Sequence, residues 1–142
     1  VSISPVGFKK AVRDVNFAIK GRLKRTEIAD VNNDGYPDLM LYIYGVPTSV
    51  TGTVICVTSV ENSSLDQVFF PDIYDNPKLR EGYKGRDEFS IRYGILNRNF
   101  PIYKPGDADD APSGGKRFIQ YEVTKTEGRP SFKVLRSYEV AQ

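Results

Sequence analysis

The nine residues DVNNDGYPD, positions 30–38, place oxygen-bearing side chains at Asp30, Asn32, Asp34 and Asp38. These are positions one, three, five and nine of a calcium loop, with Gly35 at position six, where the chain must turn sharply, and the Tyr36 carbonyl at position seven. Calcium is a hard cation that takes about six to eight oxygens at roughly 2.3–2.6 Å, and alternate residues of a turning chain aim their oxygens at one centre. Position twelve, where an EF-hand carries a bidentate glutamate, is Leu41 inside an apolar run, so this loop is expected between strands, not between helices. Three carboxylates in one small volume repel one another unless a cation or several amide donors offset them. The same residues also suit a metal-free turn in which carboxylates cap backbone amides, so the loop admits two readings, with calcium as the expected cofactor of the first.

The 142-residue chain contains no histidine, which removes the usual general base, the usual zinc ligand and the Ser-His and Cys-His nucleophile pairs. Its one cysteine, Cys56, lies within TVICV and reads as a small core residue. A carboxylate-only hydrolase would need two acids across a cleft, and nothing in the sequence specifies such a pair. The chain is therefore expected to act by binding and not as an enzyme. Lysine plus arginine number 20 against 18 acids, with the signs interspersed, which gives no one-sided field for nucleic acid. The longest apolar run, residues 39–43, is too short to span a bilayer, so no transmembrane segment is expected.

The elements that must position these residues read as strands. Phe17, Ile19 and Leu23 alternate with basic residues, predicting a strand from Phe17 to about Glu27. DLMLYIY, 38–44, predicts a central strand covered on both faces, and TVICVTSV predicts its neighbour. Between them GVPTSVTG, 45–52, has the glycine, proline and hydroxyl content of an exposed loop. ENSSL predicts a turn, Gln67–Phe70 a short strand, and residues 75–84 a long surface connection with a helical turn over PKLREG. DEFSIRYGIL, NRNFPIYK, KRFIQYEVT and SFKVLRSYEV predict four more strands. Phe8–Asp14 is expected to be helical or irregular. The fold class is mainly β: a single domain over residues 1–142, an antiparallel sandwich or meander-type sheet of about eight strands with little helix.

The late segment RNFPIYKPGDADDAPSGGKR, 98–117, combines an aromatic strand with a loop of unusual proline, glycine and aspartate spacing. Together with GRDEF, 85–89, and DVNNDGYPDLMLYIY, it resembles the bacterial periplasmic inhibitors of invertebrate-type lysozyme. The resemblance extends over most of Thr26–Val123. It implies a β-sandwich-like periplasmic or secreted protein, or one lipid-anchored through a removed N-terminal segment, whose loop after the central strand enters the cleft of a lysozyme or other cell-wall hydrolase. In that family the loop carries a Ser-Gly-x-Tyr core; here Thr48, Ser49 and Thr51 supply the hydroxyls. Ser113, Gly114 and Arg117 form a second candidate binding surface. The competing reading is a calcium-stabilised adhesion or carbohydrate-contact module without inhibitory activity. Oligomeric state is not specified by the sequence.

Overall fold

Residues 38–44 interleave apolar and aromatic side chains with no break, and a strand of that kind needs cover on both faces. In the computed structural model, which describes residues 1–45 and 50–142, this run is a central strand of a four-stranded antiparallel sheet. Ten strands occur among the described residues: β1 (Ser2–Ile3), β2 (Val15–Asn16), β3 (Arg22–Ala29), β4 (Asp38–Tyr44), β5 (Gly52–Val60), β6 (Ser64–Val68), β7 (Glu88–Arg92), β8 (Ile95–Pro101), β9 (Lys116–Thr126) and β10 (Arg129–Val140). The first large sheet has the order β3-β4-β5-β6, and the second has the order β10-β9-β8-β7. Each is a simple meander. β1 and β2 pair separately as a short ribbon.

The two sheets share one core. Met40, Tyr42, Val54, Cys56 and Val68 come from the first sheet, and Phe89, Leu96, Phe100, Ile119, Tyr121 and Phe132 from the second. Strand periodicity assigns these faces: in β8, Leu96, Arg98 and Phe100 are buried while their neighbours are half-exposed. The other face of β4 is covered too, with Leu41 2% and Ile43 1% exposed. The sheets also join at one edge, where Phe69 N–H donates to Pro130 O (3.1 Å) and Phe132 N–H to Phe69 O (2.8 Å). Cys56 is fully buried, and burial pushes its thiol pKa well up, as befits a core residue.

The mainly β, antiparallel, sandwich-like class expected from the sequence is what forms, with ten strands in place of about eight. Phe8–Asp14 takes the irregular option, and the strand expected from Phe17 begins only at Arg22, because Lys20 and Gly21 bend the chain first. Strand β6 starts at Ser64, earlier than the expected Gln67. The connection over 75–84 is not all surface: Leu79 and Tyr83 are buried, and the helical element is a short 3-10 turn at Ile73–Asp75 instead of PKLREG. DEFSIRYGIL is two strands, split by Tyr93 and Gly94. Their φ values of 52° and 77° fit the type I′ turn that joins twisted strands through two residues.

Tyr93 is 90% exposed in the left-handed region, where a bulky L-residue costs roughly 1–2 kcal/mol and asparagine less. Tyr93→Asn is therefore expected to stabilise the fold by about 1 kcal/mol, read as a higher urea unfolding midpoint with an unchanged m-value.

Candidate functional site

β4 separates two ends of the molecule. Seven residues at about 3.3 Å each span roughly 23 Å, with the acidic loop at one end and the 45–52 connection at the other. The antiparallel order puts the β7–β8 turn at the acidic-loop end. It puts residues 80–87 and the 102–115 loop at the connection end.

At the acidic end, Ala29 pairs with Asp38, so the loop closes a hairpin between β3 and β4. Asp30 accepts the amides of Asp34 (3.1 Å) and Gly35 (2.9 Å), and Asp34 accepts that of Tyr36 (2.9 Å). Asn32 uses its Oδ1 on the Asp34 amide (3.3 Å) and its Nδ2 on Asp34 Oδ2 (3.2 Å). Asp38 lies inside, 2% exposed, and accepts Val31 N–H at 2.8 Å and Ser59 N–H at 3.0 Å. Burial raises the Asp38 carboxyl to about 6 against the pull of those amides, and the Asp34 and Asp30 charges push the same way. One oxygen from each of Asp30, Asp34 and Asp38 lies within 4.8 Å of the others, about twice a calcium–oxygen distance of roughly 2.4 Å. Three carboxylate oxygens thus converge closely enough that they could hold a metal ion, and the amides bonded to the same side chains hold the loop by themselves. Gly94 brings the second sheet to this loop: a Cβ there would stand 3.1 Å from Asn33 Nδ2.

At the other end the sequence-predicted residues separate. Thr48 and Ser49 lie outside the described residues. Thr51, expected as an exposed hydroxyl, is 2% exposed. Residues 85–87 close over it: Arg86 N–H donates to Val50 O at 2.7 Å, and any Cβ on Gly85, whose φ is +92°, would strike that same carbonyl. Ser113 is exposed, but its hydroxyl and amide both bond Asp107, which also accepts Lys104 N–H. Those two amides hold the Asp107 carboxyl below its ordinary pKa and shape the loop. Gly114 is a packing requirement, since a Cβ would fall 2.7 Å from Ile102 O. Arg117 is not a surface residue. It is 5% exposed, and its guanidinium donates to Leu79 O (2.7 Å), Glu81 O (2.6 Å) and Glu139 Oε1 (2.6 Å), clamping the 76–82 segment to β9. Strand periodicity carried the signal, because Arg117 stands in register with the core-facing Ile119 and Tyr121.

Beneath this end sits a buried ion pair that the candidate residues did not include. Arg98 Nε donates to Asp87 Oδ1 at 2.6 Å, with the side chains 2% and 0% exposed. Asp87 Oδ2 accepts Tyr83 Oη–H (2.6 Å) and Gly52 N–H (2.9 Å), and Arg98 Nη2 donates to Tyr83 Oη (3.1 Å). Tyr44 Oη–H adds a bond to the Asp87 carbonyl at 2.7 Å. Nη1 has no hydrogen-bond partner among the described residues; the guanidinium stands 5.2–5.7 Å from the ring centres of Phe89, Tyr83, Phe70 and Phe100. Burial alone would lower the Arg98 pKa, but the Asp87 charge outweighs it and keeps the guanidinium ionised. Gly52 belongs to the first sheet and Arg98 to the second, so the pair ties the foot of the 45–52 connection to the opposite sheet. An arginine between Leu96 and Phe100 on an alternating strand is the sequence signal that would have found it.

Among the described residues no helix is long and apolar enough to cross a membrane. Compared with known proteins, the chain matches no family model, no curated protein and no solved structure.

Asp87→Ala is expected to cost about 3–5 kcal/mol, because it strands a buried guanidinium, and to lower the urea midpoint accordingly. Asp38 sets a pH slope. Its folded pKa is above its unfolded value, so between roughly pH 6 and 4 the native state binds the extra proton and stability rises as pH falls. In calcium-free buffer, denaturation midpoints should therefore increase from pH 7 to pH 5, and Asp38→Asn should remove that slope whatever it does to the midpoint itself.

Proposed function

We propose that this chain is a non-enzymatic binding protein of the bacterial periplasm or exterior. Its 45–52 connection docks into the cleft of a cell-wall hydrolase of lysozyme type, and its acidic loop is a structural calcium site. The observation that carries the reading is how firmly the feet of that connection are held. Gly45 N–H donates to Thr51 O (2.8 Å), Val50 O accepts Arg86 N–H, and Gly52 N–H donates to the buried Asp87 carboxylate. Feet fixed in this way need no ordering of their own on docking, which lowers the cost of presenting a loop to a cleft. Thr48 and Ser49 supply hydroxyls for a partner's carboxylates, and the exposed Ser113 stands at the same end of the sandwich. Asp30, Asn32, Asp34, Asp38 and the Tyr36 carbonyl would hold calcium about 23 Å away, so the ion would brace the β3–β4 hairpin and stay clear of docking.

The second reading, a calcium-stabilised adhesion or carbohydrate-contact module, is favoured by one feature. Tyr93, almost fully exposed, stands on the turn that packs against Asn33 of the acidic loop, so an aromatic contact residue lies beside the cation site.

Inhibition of invertebrate-type, chicken-type and goose-type lysozymes by the purified chain, with and without calcium, separates these readings. The docking reading expects inhibition of the invertebrate type, at least tenfold weaker in Thr48→Ala/Ser49→Ala and insensitive to Tyr93→Ala. Absence of inhibition, with calcium-dependent glycan binding lost in Tyr93→Ala, would select the module. Calcium should raise the unfolding midpoint at pH 7, and Asp34→Asn should abolish that rise; no rise in the wild type would leave the amide-capped turn as the whole account of the loop.

A further inference from the structure

The end that carries the 45–52 connection also gathers exposed cations. Arg22 opens β3 and pairs with Tyr44, which pairs in turn with Gly52 of β5, so the first three strands bring Arg22 beside both feet of the connection. Lys24 stands over the Tyr44 ring, its Nζ 4.7 Å from the centroid. With Gly45 these residues line an open cleft of about 860 Å³. On the other flank, Lys84 and Arg86 line a second cleft of about 440 Å³ together with Val50, Tyr74, Tyr103 and one acid, Asp109. Arg22, Lys24 and Arg86 have no acidic partner within 4 Å among the described residues, and Lys84 reaches only the exposed Asp109, at 3.8 Å. The nearest acids are already committed or outnumbered. Asp87 is neutralised by Arg98 and Glu27 pairs with Arg25, and the exposed acids beside the four cations include Glu88 near Tyr44 and Asp109 in the second cleft.

Arg86 adds an independent observation. It holds φ at +62°, a region that glycine fills freely and that costs a side chain of this size about 1–2 kcal/mol. Its neighbour Gly85 holds the same hand of backbone, and this turn sets the Arg86 amide on Val50 O at 2.7 Å while the side chain lies exposed at the foot of the connection. The Arg86 side chain makes no hydrogen bond among the described residues, so the backbone bond to Val50 fixes its base while the guanidinium faces solvent.

We propose that Arg22, Lys24, Lys84 and Arg86 form a cationic rim around the feet of the 45–52 connection that receives the carboxylates of an acidic, concave protein surface. The assignment rests on reading this end as a docking loop. It deepens that reading by naming the charge and shape of the partner face. A guanidinium beside a carboxylate gives bidentate pairing, and a rim of like charge steers encounter with an oppositely charged cleft.

The test measures association rates and affinities at low and moderate salt, with an invertebrate-type lysozyme and poly-L-glutamate as probes and heparin as the polysaccharide control. Lys24→Glu/Arg86→Glu is expected to lower the association rate at least tenfold at low salt and to flatten its salt dependence, while Lys133→Glu on β10 changes neither. Arg86→Gly is expected to raise the unfolding midpoint, by releasing the backbone, and to weaken binding of both acidic probes. Unaltered lysozyme inhibition in the rim variants would keep the docking-loop function and overturn the rim. Rim-dependent poly-L-glutamate binding without any lysozyme binding would keep the rim and overturn lysozyme as the partner. Heparin binding as strong as poly-L-glutamate binding, and equally rim-dependent, would assign the surface to anionic polysaccharide and overturn the protein-cleft proposal.

Discussion

A carboxylate and a guanidinium, both almost wholly removed from water, hold this sandwich in register. Taking such a pair out of water is expensive, and it persists only where its remaining lone pairs and protons find partners. Asp87 is saturated by the Tyr83 hydroxyl, the Gly52 amide and Arg98, and the Arg98 plane is surrounded by four aromatic rings. Because Gly52 opens β5 of the first sheet and Arg98 sits mid-strand in the second, this network fixes how the sheets meet at one end. An apolar contact would tolerate a slip between sheets; a charged network with fixed donor directions does not.

That constraint explains why glycines cluster nearby. A Cβ on Gly52 would stand 2.9 Å from Phe89 Cε2 and 3.2 Å from Asp87 Cβ, and one on Gly82 2.6 Å from Ile102 Cγ2. The segments that cross this end approach each other backbone to backbone, so side chains are excluded from the contact. Arg117 does the same work a layer further out, holding the 76–82 segment through two carbonyls. Two arginines that look like surface residues by type, Arg98 and Arg117, thus pack this end from within, while Arg86, at a positive φ, faces solvent.

The opposite end follows a different logic. There the acidic loop organises itself through short-range amide bonds, and only Asp38 reaches inside, where burial lifts its pKa toward neutrality. Three carboxylates converge there, and the buried one is held above its ordinary pKa by desolvation and by the charges of the other two. Separation by the length of β4 keeps this chemistry from acting directly on the connection at the far end.

The sequence by itself determined the β class, the central strands β4 and β5, the four late strands and the hairpin nature of the acidic loop. Each of these rests on local period or on turn chemistry that neighbouring residues specify. Even the Tyr93–Gly94 turn was present as a dipeptide, though a tyrosine at a left-handed position disguised it inside an apparent longer strand. What only the tertiary structure decided is which polar residues face in. Thr51 and Arg117 have the composition of surface groups, yet they are buried because segments distant in sequence, 85–87 and 76–82, fold across them. Asp87 and Arg98 are eleven residues apart on either side of a turn, and their pairing depends on the register of β7 with β8 and on the amide of Gly52 from the other sheet. Burial of a charge is a property of three-dimensional neighbours, and a chain read one residue at a time does not contain it.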